Sequence, residues 1–306
     1  MFKKTCLIIA ALAVAALALA MPAWPGTLPA SIIPEGARWV AHLDMEKFVG
    51  TKLYEYLEKD GRLVIENRDI TRWLKIDLFK DIKGLTIFGL GPGEKRVVFA
   101  AAGKFDKARL LTLLDLDEDH KEYAYGAYTV HSMDDDEHGA FVNDGLIVFA
   151  EHAADLEKVL DTASGKAKNF SSTKLNAAFK DVSAGAFLSG VVENLAGLGE
   201  EINQSKFVEK AGLLFFSAQE KQENLQVRVE VAADSPESAK NMADVAQGLI
   251  AMAKLGQGDR RGDIPAFLTE GLQVKLEGKT VRFEISIPSR EAADLASRGK
   301  GLDLFD

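Results

Sequence analysis

The amino-acid sequence predicts an α+β fold with antiparallel-rich sheets and helices packed on one face. Its apolar segments are joined by short turns rich in glycine, asparagine and aspartate, and such turns connect antiparallel strands. These hairpins alternate with segments whose apolar residues recur at helical spacing. The chain has 306 residues, 47% of them hydrophobic and 27% charged, a composition typical of a globular protein with a large core.

The first half of the chain begins with a strand at 37–43 and a helix at 46–59, which Gly61 ends. Further along, Asn143-Asp-Gly145 supplies the positive φ angles that a tight hairpin turn requires. Between and after these points we expect strands at 85–90 and 96–102, a helix at 105–116, a strand at 125–131, a hairpin at 140–149 and a helix at 155–163.

The second half of the chain repeats this alternation. Ser235 has the character of a helix N-cap, with Pro236 at the first helical position and Glu237 in the first turn. In chain order we expect a strand at 185–192, a helix at 193–204, strands at 213–218 and 225–232, a helix from 235, a hairpin built from 272–276 and 281–287, and a last helix over 292–297.

The two halves share the succession βαββαββα, which predicts an internal duplication. Three short segments also match in the same order: 37–50 with 184–197, 84–88 with 212–216, and 153–156 with 292–295. We therefore expect two related α+β repeats at 37–165 and 184–306, joined by a connecting segment at 166–183. The alternative is one α+β domain whose strands and helices alternate without a duplication.

The first thirty residues have the layout of an export signal. Lys3 and Lys4 precede an unbroken apolar run at 7–20, which ends in the small-residue site Ala18-Leu-Ala20. We expect a signal peptide at 1–20 and an N-terminal segment at 21–36, hence a bacterial protein of the periplasm, the extracellular space or the cell envelope. The alternative is an uncleaved membrane tether, and we expect membrane contact only through this segment.

Composition excludes several function classes. The formal net charge is −9, so there is no bulk attraction to nucleic acid. The single cysteine, Cys6, excludes an internal disulfide framework. The glycine-rich loop at 89–93 leads into a strand and not into a helix N-terminus, and Ser189 lacks the preceding glycine of a nucleophile elbow. We expect neither a cofactor nor a catalytic residue.

The densest cluster of metal-ligand side chains is in the segment 131–138. His131, Asp134, Asp136 and His138 offer imidazole and carboxylate ligands for zinc or a harder ion. The same residues also suit a solvated hairpin tip between two strands. His42 is expected to point to solvent and to be structural.

Several segments resemble a loose group of exported bacterial proteins of unknown function. They are Trp39-Val-Ala-His-Leu-Asp44, Asp81-Ile-Lys-Gly-Leu-Thr-Ile87 and Val98-Phe-Ala-Ala-Ala-Gly-Lys-Phe-Asp106, followed by a tyrosine-rich strand and a hairpin, and the element at 271–287 before a last helix. The resemblance covers most of the mature chain, and its motifs are structural and mostly apolar. It implies an envelope location and a duplicated α+β domain, and it implies no catalytic residue.

Together these features favour an exported, non-enzymatic binding or interaction protein whose partner is a small ligand or an envelope protein. Two related halves create a surface between them where ligands commonly bind. Tyr123, Tyr125, Tyr128 and Phe141 are candidates to line such a surface, and the alternative is that at least half of them are core residues. The alternative function is a metal-dependent hydrolase that uses His131, Asp134, Asp136 and His138.

Overall fold

The computed structural model describes residues 26–61, 63, 76–91, 96–133, 137–193, 211–255 and 271–298. In this part of the chain, twelve strands form a single sheet in which every neighbouring pair is antiparallel. The strands are β1 (Trp39–Asp44), β2 (Ile82–Gly89), β3 (Val97–Gly103), β4 (Lys121–Tyr125), β5 (Tyr128–Met133), β6 (Glu137–Asn143), β7 (Leu146–Ala150), β8 (Leu188–Glu193), β9 (Ala211–Lys221), β10 (Asn224–Ala233), β11 (Gln273–Glu277) and β12 (Thr280–Pro288).

Seven α-helices and one short 3-10 helix connect the strands within the described ranges. They are α1 (Met45–Val49), α2 (Lys52–Lys59), α3 (Lys107–Leu114), α4 (Ala153–Ala163), the 3-10 helix Phe170–Ser172, α5 (Lys174–Ser183), α6 (Pro236–Leu255) and α7 (Ser289–Arg298). The predicted α+β class with antiparallel pairing is thereby confirmed. None of these helices is long and apolar enough to cross a membrane.

The strands are ordered β11-β12-β10-β9-β8-β1-β2-β3-β7-β6-β5-β4. On either side of the central β8–β1 pair the order is alike: β8-β9-β10-β12-β11 on one side and β1-β2-β3-β7-β6 on the other. The hairpin of β4 and β5 extends the first side alone. A duplicated chain would have this strand order in each half. The duplication itself stays a prediction.

One face of the sheet, the back face, carries the larger apolar core. Val40, Val98 and Val148 point to this face, where α4 and α5 pack over them. Strands of the second half also contribute, since Val191 and Phe215 belong to the same cluster. The core therefore spans the β1–β8 junction.

The opposite face, the front face, is covered in the second half by α2, α6 and α7. Ile287 and Ala293 pack there with Leu53 of α2, and Val281 packs with Met242 of α6. Helices thus lie on both faces of the sheet, whereas the sequence predicts them on one. The reason is that most second-half strands place their aliphatic residues on the front face and charged residues such as Arg228 and Glu284 on the back face.

The predicted connecting segment 166–183 contains ordered secondary structure. It includes the 3-10 helix and α5, and its side chains Phe170 and Phe179 are buried in the back-face core. The structure also differs from the sequence prediction at 125–131, where a single strand is expected. A hairpin turn at Gly126, which has a positive φ of 61°, separates β4 from β5 there.

Candidate functional site

The front face of the first half contains an apolar cavity of about 950 Å³. Helix α3 lies along one side of it, and the side chains of β2, β3, β6 and β7 form its floor. The lining includes Leu85, Phe99, Leu110, Leu114, Phe141 and Phe149. Ligand cavities commonly have a volume of 300–1,000 Å³ and a mostly apolar lining, so this cavity has the size and character of a binding site.

The floor of the cavity leaves large aromatic side chains uncovered. Phe99 on β3 is 51% exposed and Phe149 on β7 is 47% exposed, and they are cross-strand partners. The ring of Phe149 lies over Gly139, where a Cβ atom would stand 3.0 Å from the ring. Glycine at 139 therefore permits this ring to lie flat across the neighbouring strand. Exposed apolar surface of this kind is a common feature of ligand-binding and partner-binding sites.

Helix α3 starts at an N-cap, Asp106, whose carboxylate accepts a hydrogen bond from the backbone N–H of Arg109 at 3.0 Å. None of its residues is fully buried, although four of its eight are leucines. Its apolar side instead borders the cavity through Leu110 and Leu114. The ammonium of Lys107 lies 5.1 Å from the ring centroid of Phe141. The helix thus forms a wall of the cavity without filling it.

At the polar end of the cavity, His131 lines the wall and pairs with a second histidine, His120, behind it. Nε2 of His120 and Nδ1 of His131 are 3.1 Å apart, and the two rings stack with centroids 5.3 Å apart. Asp115 Oδ1 lies 3.5 Å from Nδ1 of His120, and Glu122 Oε2 lies 3.8 Å from Nδ1 of His131. Burial and the neighbouring His120 lower the pKa of His131 below its ordinary value of 6.5.

The predicted metal ligands are divided by the sheet. His131 pairs with Gly139 and His138 pairs with Ser132, and because side chains alternate along a strand, the two imidazoles point to opposite faces. Asp134 and Asp136 lie outside the described residues. In the part of the chain that is described, no group of three or more metal-ligand side chains is found. The metal site stays a prediction.

The other singled-out residues occupy structural positions. His42, expected at the surface, is only 5% exposed and bonds through Nδ1 to Thr86 and through Nε2 to the carbonyl oxygen of Gly26. Ser189 is its neighbour on β8 and is likewise buried.

Of the four aromatic candidates, only Phe141 lines the cavity. Tyr123 and Tyr125 bond to Glu157 and Asp161 of α4 on the back face, and Tyr128 packs against the core.

Comparison with protein-family models and with characterised proteins finds no match. Two solved structures of the Treponema protein TP0453 are similar in fold. Crystal form III is 10% identical in sequence, with a TM-score of 0.53 over 89% of this chain and 98% of that chain. Crystal form IV is 8% identical, with a TM-score of 0.51 over 88% of this chain and 96% of that chain. At this identity the likeness concerns the fold.

Proposed function

We propose that the protein is an exported, non-enzymatic binding protein of the bacterial periplasm or cell envelope, and that its front-face cavity takes an apolar, chain-like ligand. The observation that carries this proposal is the uncovered pair Phe99 and Phe149 on the floor of a 950 Å³ cavity. Full burial of an exposed phenylalanine side chain contributes about 1.5–3 kcal/mol. Because each ring is already about half buried, a ligand that covers both gains about that amount in total.

Export is supported by the sequence of residues 1–20, with its lysines, apolar run and small-residue site. The N-terminal residue of the protein recovered from the envelope fraction of its host tests this part. A start at Met21 agrees with a cleaved signal peptide. A start at Met1 in the membrane fraction contradicts it and favours the tether.

Ligand binding is tested on residues 21–306 with diphenylhexatriene, an apolar probe whose fluorescence rises on leaving water. We expect saturable binding to the wild type and an affinity at least about tenfold lower in Phe99→Glu, because a carboxylate on the cavity floor loses solvation when the probe covers it. Phe99 is half exposed, so this substitution leaves the core intact.

The matched control is Val245→Glu, which places the same charge on a 48% exposed side chain of α6, outside the cavity. This variant should bind the probe as the wild type does. Absence of probe binding to the wild type, or equal affinities in Phe99→Glu and the wild type, contradicts the proposed function.

A further inference from the structure

At the polar end of the cavity, His131 presents a ring nitrogen whose character follows from its neighbours. The side chain of His131 is 9% exposed and lines the cavity. Its Nδ1 atom is engaged with His120. Within the described ranges of the chain, no hydrogen bond involves the Nε2 atom of His131. Nε2 is therefore the ring nitrogen that remains for a ligand.

Two carboxylates determine which nitrogens of the histidine pair carry protons. Asp115 lies beside Nδ1 of His120, which favours a proton there and leaves Nε2 of His120 as an acceptor. Glu122 lies beside Nδ1 of His131, which favours a proton on that atom, and this N–H then donates to Nε2 of His120. The two carboxylates thus select compatible tautomers of the two rings.

Because Nδ1 of neutral His131 carries the proton, its Nε2 carries a lone pair and accepts hydrogen bonds. The ring of His131 is buried, and burial favours the neutral form of an imidazole over the charged form. Asp117, Glu137 and Glu151 also line the cavity. Their three negative charges outnumber the positive charge of Lys107 beside Phe141, and this disfavours an anionic headgroup. The cavity consequently offers an acceptor and negative charge at one end of an apolar space.

We propose that this cavity selects a long-chain ligand that ends in a hydroxyl group, and that Nε2 of His131 accepts the hydrogen bond from that hydroxyl. This inference rests on the proposed function, since it needs an apolar chain in the cavity. It makes His131 a specificity-determining residue of the binding site.

The test is competition against bound diphenylhexatriene at neutral pH. Dodecanol and dodecyl methyl ether differ in the hydroxyl donor, and dodecanoate replaces the hydroxyl by an anion. We expect dodecanol to displace the probe at a concentration about fivefold to tenfold lower than the ether, the range that one net hydrogen bond supplies. Dodecanoate should also compete less well than dodecanol.

The substitution His131→Phe keeps an aromatic ring and removes the acceptor, and it should reduce the ratio of the ether concentration to the alcohol concentration needed for displacement to below about twofold. His120→Leu removes the acceptor of the Nδ1–H of His131, one of the two groups that favour a proton on that atom, and it should lower the ratio in part. This second variant keeps the test valid if His131→Phe does not fold. His152→Phe, an exposed position before α4, is the control and should keep the full ratio.

Equal competition by dodecanol and its ether in the wild type overturns this inference, as does an undiminished ratio in His131→Phe. In both cases the probe has bound, so the proposed function stands. Failure of the probe to bind the wild type overturns the proposed function itself. The two failures are therefore distinguishable in a single experiment.

Discussion

The carboxylate of Asp155 shows how a single buried charge joins two elements. Asp155 is 2% exposed in the first turn of α4, and the guanidinium of Arg96, just before β3, donates two hydrogen bonds to it. Lys158 lies 3.5 Å away. The hydrogen bonds from Arg96 hold the pKa of Asp155 below its ordinary value of 3.8.

Replacing this carboxylate by an amide in Asp155→Asn should reduce the free energy of unfolding by about 2 kcal/mol at neutral pH, because Arg96 loses its charged partner. Since the folded-state pKa is depressed, the stabilisation is present above pH 3.8 and is lost as the pH falls through the lower, folded-state value. Urea unfolding at neutral and strongly acidic pH measures both effects, and the difference between wild type and variant should shrink in acid.

The matched control is Asp244→Asn, which breaks the exposed pair of Asp244 with Lys240 on α6. Exposed pairs contribute about 0–1 kcal/mol, so this variant should unfold nearly as the wild type does. A similar loss of unfolding free energy in both variants would show that burial does not increase the contribution of the Asp155 ion pair.

The position of His42 could have been predicted from the sequence. Residues two apart on a strand share a face, so an inward Val40 places His42 inward as well. The sequence interpretation placed His42 on the solvent face opposite Val40, yet Thr86 and Gly26 provide hydrogen-bonding partners inside. These partners are distant in sequence, and they become apparent only from the register.

Burial lowers the pKa of His42 below 6.5. As the pH falls through 6.5, the unfolded chain takes up a proton before the folded protein does, so stability should decrease towards acid. In His42→Gln this part of the acid sensitivity should disappear, and the drop in melting temperature between neutral and mildly acidic pH should be smaller than in the wild type. His152→Gln, at an exposed site, should keep the wild-type slope; a parallel decline in all three proteins would contradict the assignment to His42.

At the scale of elements, local signals predicted most of the strands and hairpins, and strand β4 was missed. The turn at 143–145 and the helix that starts after Ser235 lie where the sequence places them. The positive φ angles expected of Asn143, Asp144 and Gly145 are absent, and the pairing of β6 with β7 instead shifts register between Phe141 and Asn143. The predicted helix 46–59 is instead two helices, which are separated at Gly50 and Thr51. The hydroxyl oxygen of Thr51 caps the second helix by accepting a hydrogen bond from the backbone N–H of Tyr54 at 3.0 Å. That capping threonine was a readable signal.

Helix α5 was not predicted because its sequence is polar and follows a glycine-, lysine- and serine-rich stretch. Its stability comes from Phe179 in the back-face core, a tertiary contact. The cavity was missed for a related reason. Phe99 and Phe149 each alternate with buried residues of their strands, and only the strand order shows that the two rings are neighbours on an uncovered face.

Glycines beneath aromatic rings let this sheet accommodate cross-strand pairs. Gly190 of β8 pairs with Phe216 of β9, whose ring lies where a Cβ at position 190 would be. Gly190→Ala should therefore force the ring aside and reduce the free energy of unfolding by about 1–3 kcal/mol. Chemical denaturation measures this value.

The control substitution is Gly212→Ala on β9, where the nearest atom to an added Cβ is the carbonyl oxygen of Ala232 at 3.5 Å, an ordinary contact. It should be nearly neutral. If Gly190→Ala is equally neutral, the ring of Phe216 has room to move and the proposed close approach is incorrect.

At the scale of the whole molecule, the two halves share one sheet and both contribute to its back-face core. Trp39–Leu43 of β1 pair with 188–192 of β8, and Val191 packs in the cluster that contains Val148. Strand content in both halves follows from the sequence. The continuity of the sheet from β1 to β8 does not follow from the sequence, because no local signal encodes a pairing between such distant segments.

This continuity predicts a single cooperative unfolding transition. Val148→Ala in the first half and Val281→Ala in the second, both at fully buried positions, should each reduce the free energy of unfolding by about 2 kcal/mol. Each should shift the same transition, with circular dichroism and tryptophan fluorescence coinciding in urea. Two separate transitions, each moved by only one substitution, would show that the halves unfold independently.

The β1–β8 pair also affects the order of events during folding. Arg38 and Glu193, which bond at the end of this pair, are 155 residues apart in the chain. Strand β1 therefore has to wait for half of the polypeptide before its second neighbour is available, and contacts of such long range slow folding. A chain that folds late remains extended for longer after synthesis, which is the state in which a polypeptide can be threaded across a membrane.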